Sequence, residues 1–589
     1  MNPAQLLTHF DRISDVPDAV PRLRQFILEL AVRGKLVEQD PDDEPASEFL
    51  KRIVADKARL VREGRIKRQD PLPPVEESSI PFNLPNGWSW TRLGNLSRMV
   101  TSGSRDWAKF YSSEGAIFVR MGNLSRDSYK LRLGNIQRVK PPADSEGART
   151  KLEERDILIS ITGEVGLLGL IPPNFGEAYI NQHTCLVRPM EQLEGRYLPE
   201  LFRSRFAQNQ FDEPQRGLKN SFRLTDVTHF LVPLPPLPEQ HRIVAKVDEL
   251  MALCDRLEAA QAEREGRRDR LAAASLHRLN QPAAPGDPQA FREHSGFHLK
   301  HLPRLTARPE HIKQLRQTIL NLAVRGQLVP QNPNDEPASQ LLKRIEAEKA
   351  RLLKEGKINR EKPPIPACPD ELEFELRPGW EAARISQILV ELQTGPFGSS
   401  LHESDYKKGG VPVINPASMK DGRLVPVDSM AIGPDTLERL ATFKLHAGDI
   451  VMARRGEMGR CAVVTDREDG WLCGTGSLIL RLPESVFPIF FATLIGSPFV
   501  REYLGGSAVG ATMQNLNQSI LLNLVIGLPP AAEQHRIVAK VDELMALCDQ
   551  LEAQLTAAQS ASRRLLESVL HQALNDNPTL NDKLKASNG

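Results

Sequence analysis

The sequence predicts an α+β fold made of two copies of one unit, each joining a mixed helix-and-strand domain to a long helix. Three observations carry this. The seventeen residues EQHRIVAKVDELMALCD at Glu239–Asp255 return letter for letter at Glu533–Asp549, 294 residues later. Solenoid repeats recur at about 20–50 residues, so this period marks duplication of a whole unit. Shorter blocks return in the same order: Leu23-Arg24-Gln25 at 315–317, Ala31-Val32-Arg33-Gly34 at 323–326, Asp43-Glu44-Pro45-Ala46-Ser47 at 335–339, and Gly87-Trp88 at 379–380. Between these blocks lie two stretches, roughly 90–230 and 382–525, that resemble each other only faintly. The frame is constant and the inserts differ.

The long helices follow from spacing. In the second copy, apolar residues fall at Ile537, Val541, Leu544, Cys548, Leu551, Leu555, Ala558, Leu565 and Val569, interrupted at Ser562. Steps of four and three make a heptad seam, the pattern of a coiled coil. At about 1.5 Å per residue such a helix spans roughly 50 Å. The first copy has the same seam at Ile243, Val247, Leu250, Cys254 and Leu257, then turns polar at Gln261, Arg264 and Arg268. Pro235-Pro236 and Pro529-Pro530 mark the helix starts.

A helical hairpin precedes each insert. Leu23, Phe26, Ile27 and Leu30 form a stripe that stops at Gly34, a C-cap, and a second helix carries Phe49, Leu50, Ile53 and Leu60 inward until Gly64. Segments 315–326 and 338–356 repeat the pattern. Core packing is the default role for all these apolar residues, and Cys254 and Cys548 on the seam read as buried small hydrophobes. The Pro-, His- and Gly-rich segment 281–310 reads as a flexible linker. Its His294, His298 and His301 lack the Cys or carboxylate set that would complete a metal site.

Both inserts read as short strands broken by Gly, Asn and Pro. Ala116–Arg120 matches Val411–Ile414, Asp156–Ser160 matches Asp449–Ala453, and Cys185–Arg188 matches Ser477–Arg481. Between the strands are polar loops. In the first insert they carry Ser104, Arg105, Arg120, Asn123, Thr162, Gln182, His183, Lys219 and Asn220. In the second they carry Ser399, Ser400, Asn415, Ser418, Arg454, Arg455, Thr475, Gln514 and Asn515. Arg, Lys, Asn, Gln and Ser are the types that reach base edges and phosphates. The same composition also describes a merely solvated loop.

Bulk properties exclude more than they assign. Hydrophobic content of 40% and charge of 26% are ordinary for a soluble globular chain. No run of eighteen apolar residues exists, and the N-terminus lacks a signal pattern, so no membrane segment and a cytoplasmic location are expected. Six scattered cysteines without a CxxC pair point to a reducing compartment. Net charge is +1. Residues 80–235 hold 20 Lys and Arg against 16 Asp and Glu, and residues 370–530 hold 14 against 19, so only the first insert leans basic. The chain has no phosphate loop, no GxGxxG after a strand, no HExxH and no GxSxG. Asn415-Pro416-Ala417-Ser418 lacks the second Pro and the aromatic ring of an amino-methyltransferase signature. Asp156 and Asp449 read as strand-start turn residues. No catalytic residue, metal ligand or cofactor site is expected.

The blocks together resemble the DNA-specificity subunits of type I restriction–modification systems. The residues that carry this are LPPLPEQHRIV (234–244) and LPPAAEQHRIV (528–538), AVRGKLV (31–37) with DEPAS (43–47) and their second copies, the Gly-Trp pairs, and 510–516 ahead of the second Pro-Pro. The resemblance spans nearly the whole chain. It implies two similar α/β target-recognition domains separated by long antiparallel coiled-coil helices, with an internal pseudo-twofold duplication. The expected boundaries are 1–70 and 311–365 for helical hairpins, 80–235 and 370–528 for recognition domains, 236–280 and 529–575 for coiled-coil helices, 281–310 for the linker and 576–589 for a tail. It further implies a non-catalytic subunit that reads double-stranded DNA with a bipartite target. Two methyltransferase subunits would dock on its helices, where Gln240, Arg242, Gln534 and Arg536 are the candidate partner-binding residues. Motor-nuclease subunits would complete the complex. S-adenosylmethionine, ATP and Mg are then expected in those partners and not in this chain. Two other readings stay open from the residues alone: a coiled-coil interaction scaffold, and a fused modification–restriction enzyme.

Overall fold

The computed structural model describes residues 16, 18–142, 150–193, 195–212, 222–281, 288–358, 365–397, 400–420, 422–456, 458–506 and 516–575. They form two units, one of residues 1–264 with 559–589, the other of residues 265–558.

In the first unit, helix Ala19–Val32 ends as its sequence dictates. Gly34 takes φ +66°, the Lys35 amide bonds the Leu30 carbonyl at 2.9 Å, and the Gly34 amide bonds that of Ala31. This is a Schellman closure, which needs a residue tolerant of positive φ. Helix Ala46–Arg62 buries Phe49 and Ile53. The 44-residue helix Leu237–Asn280 then buries Ile243, Val247 and Cys254 of its seam. Burial raises the Cys254 thiol pKa, as expected of a packing residue and not a nucleophile. Arg24 pairs with Asp255 and Glu258 of this helix, and Gln39 with Glu239. Helix Ala19–Val32 therefore runs against it. Helix Ala531–Asn575 contributes its end to the same unit. Val16 and Ala19 share a core with Leu566 and Val569, Arg22 binds Glu567, and Lys35 reaches the Leu574 carbonyl. Here the two segments run the same way. The two long-helix segments are thus antiparallel.

The second unit repeats the arrangement. Helix Pro309–Val324 sets Arg316 on Asp549 and Glu552, and Gln331 on Glu533, against the direction of the last helix. It runs with the end of the first long helix, through His311–Asp269 and Thr318–Asn280.

Each insert opens and closes on one two-stranded ladder. In the first unit β1 (Ser89–Arg92) pairs antiparallel with β10 (Leu231–Leu234). Between them, β2 (Ser97–Ser102), β9 (Thr184–Pro189), β6 (Ile157–Ser160) and β7 (Leu168–Leu170) make an antiparallel sheet in the order β2-β9-β6-β7. A second sheet runs β3 (Tyr111–Ser112), β5 (Gln137–Val139), β4 (Ala116–Val119), β8 (Ala178–Ile180), its last pair parallel. The second insert has the same topology. Its ladder is β11 (Glu381–Arg384) with β22 (Val525–Leu528). One sheet is β12 (Glu391–Thr394), β21 (Ser477–Arg481), β18 (Ile450–Ala453), β19 (Cys461–Val463). The other is β13 (Tyr406–Lys407), β17 (Ala431–Ile432), β14 (Val411–Ile414), β20 (Leu472–Cys473), again with a parallel last pair. A hairpin of β15 (Met419–Lys420) and β16 (Arg423–Leu424) is extra.

From 288 on, the expected flexible linker is largely helical instead, and 282–287 lie outside the described residues. Pro288–Lys300 and Leu302–Leu305 are helices. His298 is buried with Nδ1 2.9 Å from Ser275 Oγ, and His301 stacks on Phe297. Leu305 is buried, and the segment's described prolines, Pro288, Pro303 and Pro309, fall at helix starts, where a missing amide costs nothing. No helix among the described residues is long and apolar enough to cross a membrane.

Candidate nucleic-acid interface

The repeated motifs converge on one knot per unit. Trp88 Nε1 donates to Glu239 Oε2 at 3.0 Å, and Gln39 Nε2 to Oε1 at 3.0 Å. Trp380 and Gln331 do the same to Glu533, at 3.0 and 2.9 Å. Both carboxylates are buried, and burial raises their pKa above the ordinary glutamate value. The Ala46 amide bonds the Gly87 carbonyl at 2.8 Å, and Ala338 bonds Gly379 at 2.9 Å. These bonds fix the base of each insert to the helices.

Gln240 and Gln534, expected to face a partner, are buried instead, at 2% and 0% exposure. Each amide bonds the carbonyl of the first proline of its Pro-Pro pair, Pro235 or Pro529. That carbonyl lies at the helix start, and the flanking charges of the sequence conceal the role. Arg242 and Arg536 are half-buried and bind Asp43 and Asp335 at 2.6 and 2.5 Å.

Above this base, four loops of each insert converge. In the first, the loop after β2 touches the β8–β9 turn: the Gly103 amide bonds the Thr184 carbonyl, and a Cβ on Gly103 would lie 2.1 Å from the Ile180 oxygen. The loop after β6 joins the same turn through Ile161 N to His183 O, at 3.0 Å. Gly163 lies over Met121 of the loop after β4. In the second insert, Gly395 N bonds Ser477 O, Arg454 N bonds Gly476 O, and Gly474 N bonds Ile414 O. These matching bonds align Gln182 and His183 with Thr475 and Gly476, Thr162 with Arg455, and Arg105 with Phe397.

The candidate residues divide by what their side chains already do. Asn123 is buried, its Oδ1 taken by the Arg120 amide and its Nδ2 by the Arg132 and Asn135 carbonyls, so it shapes its loop and has nothing left for a base. Ser418 is fully buried, and Ser104 is 8% exposed. Asn415 directs Nδ2 at Met430 Sδ, and Ser400 gives its carbonyl to Arg439. Thr162 and Gln182 both hold His183. Arg105 and Arg455 are exposed, and Arg120, Arg454 and Thr475 half-buried on the rim. Lys219, Asn220, Ser399, Gln514 and Asn515 lie outside the described residues. Phe397 escaped sequence reasoning: it is 65% exposed on the rim, and its Gly-Pro-Phe-Gly setting is the signal for such a turn.

The strand-start aspartates are turn residues. Asp156 accepts the Glu153 amide and grips Arg188 through two bonds of 2.7 Å. Burial raises its pKa while Arg188 opposes the shift. Asp449 accepts the His446 amide. No His, Cys, Asp and Glu cluster suited to a metal occurs among the described residues.

Two alike sheet pairs, each held by a knot to the long helix of its own unit and ending in unlike polar loops, define a duplicated recognition protein. The model of the type I restriction modification DNA specificity domain matches residues 85–264 and 378–558. The specificity subunits of the Escherichia coli type I restriction enzymes EcoEI and EcoAI are 30% and 31% identical over 576 residues, 94% of this chain and 94% of each relative. The crystal structure of the HsdS subunit from Thermoanaerobacter tengcongensis is 21% identical, covers 85% of this chain and 99% of its own, and aligns with a TM-score of 0.41. The chain belongs to the type I restriction-modification DNA specificity family. It is a DNA-recognition subunit and not a catalytic one.

Proposed function

We propose that each insert reads one half of a bipartite DNA target and that the long helices set the unread gap. The observation that carries this is the pairing of one topology with two loop chemistries. Residues aligned by identical backbone bonds are Thr162, Gln182 and His183 in one insert and Arg455, Thr475 and Gly476 in the other. Two readers on one frame share the association cost, so modest affinities combine through effective concentration. Half-sites near one helical turn apart, about 34 Å, suit helices of roughly 65 Å.

Methyltransferase subunits dock, in this reading, on the face that both long helices expose: His241, Ala245, Asp248, Glu249 and Leu253, with Asp248 held by Arg196, and His535, Ala539, Asp542, Glu543 and Leu547, with His535 against Phe487. Unlike buried Gln240 and Gln534, these side chains reach solvent. S-adenosylmethionine, ATP and Mg belong to the methyltransferase and motor-nuclease partners. Free cysteines fit a cytoplasmic setting.

The test is an exchange. Replacing 90–230 with the matching insert of a relative changes one half-site in selection from random duplexes. A change in both halves together contradicts separate readers.

A further inference from the structure

Three side chains on the first insert's rim form a directed relay. Gln182 Nε2 lies 2.9 Å from His183 Nε2. An amide nitrogen only donates, so His183 Nε2 accepts and the ring proton sits on Nδ1. That nitrogen lies 2.7 Å from Thr162 Oγ1 and donates to it. The turn beneath is itself braced, with the His183 amide on Asn181 Oδ1 at 3.2 Å. Every hydrogen bond in the relay leaves Gln182 with the same remainder: its Oε1 and its second N–H, neither taken by a described residue.

An oxygen acceptor beside an N–H donor is the pair that matches N6–H and N7 of adenine in the major groove. A free glutamine forfeits rotamer freedom on ordering. Here the relay restricts it beforehand, which favours binding. We propose that Gln182 is the adenine-reading residue of the first insert, and that His183 and Thr162 are its positioning residues. The inference rests on the proposal that each insert reads its own half-site. The second insert has Thr475, Gly476 and Arg455 at these positions, so it lacks the relay. Adenine reading of this kind is confined to one half of the target.

The test is selection from random duplexes by the full chain assembled with its modification partners. The wild type enriches a two-part motif; if it enriches none, the two-reader proposal fails and this inference with it. Given that motif, Gln182→Ala lowers the preference for adenine at one position of one half by about tenfold, leaving the other half unchanged. His183→Ala and Thr162→Val lower it at the same position by less, while Thr162→Ser, which keeps the hydroxyl, retains it. A bipartite motif that Gln182→Ala leaves intact overturns the inference. So does equal loss at every position of that half, which marks a structural role.

Discussion

Trp88 and Glu239 are 151 positions apart and meet through a 3.0 Å hydrogen bond, and Trp380 and Glu533 repeat the contact at the same length. The Gly-Trp pair and the Glu-Gln-His-Arg-Ile-Val block are thus two sides of one joint. The joint binds the insert's first strand to the start of the long helix.

Removing the indole donor leaves a buried carboxylate short of a partner. Trp88→Phe destabilises the first unit by about 1–3 kcal/mol, and Trp380→Phe the second equally. The pH dependence has a sign. Burial lifts the Glu239 pKa above its unfolded value near 4.5. Between those values the folded state holds the extra proton, so stability falls as pH rises through the window. Losing the indole bond raises the folded pKa further. The deficit of Trp88→Phe therefore grows from pH 5 to pH 7 in thermal unfolding, and a deficit that shrinks contradicts the joint.

Two glycines with alike φ separate backbone cost from packing cost. Gly64, at φ +71°, has nothing within 4 Å of an added Cβ; Gly34, at +66°, has Pro85 Cγ at 2.3 Å and Trp88 Cζ2 at 3.1 Å. Gly64→Ala costs about 1 kcal/mol for the left-handed conformation. Gly34→Ala adds about 1–3 kcal/mol of overpacking, and equal melting shifts for the two variants count against the packing described.

Asp156 and Asp449 occupy matching turns with unequal partners. Asp156 holds Arg188 bidentately at 2.7 Å, whereas Asp449 lies 3.7 Å from Arg481, which Glu391 already binds. Asp156→Ala removes two of the bonds on the buried Arg188 guanidinium, which keeps Glu153 and the Lys151 carbonyl, and costs about 1–3 kcal/mol. Asp449→Ala costs less, and a reversed order in denaturant unfolding would show the pairing to be misassigned.

Arg454 lies half-buried on the second rim with its backbone tied to Gly476 and Leu516. Arg454→Ala relaxes the preference at one position of one half-site by about tenfold. A uniform loss across all sequences, with a shallower salt slope, would identify a phosphate contact instead.

Periodicity made the frame legible. Heptad steps from Ile537, the stripe from Leu23 to Leu30 and the stop at Gly34 all fall where the helices run. The runs at Ala116, Asp156, Cys185 and Ser477 became β4, β6, β9 and β21. Sheet order was not legible: strands of two to six residues carry no usable alternation, and the parallel β4–β8 pair joins positions about sixty residues apart. Gln240 and Glu239 were hidden because burial of a polar residue depends on donors far along the chain. The rim residues were legible by type, but Asn123 and Gln182 look alike in sequence and differ in how much of the amide the fold already uses.

The helical spacer makes its own prediction. Seven residues inserted after Leu257 add two turns to one long helix. The tolerated gap between half-sites changes, or binding is lost, and an unchanged gap excludes the helix as a spacer.

The central claim is that two inserts of one topology act as independent readers, and one measurement meets it directly. Replace residues 90–230 with a second copy of 382–525 and select from random duplexes with the assembled complex. The account predicts a target made of two copies of the half-site that the second insert reads. A target that keeps two unlike halves would contradict it.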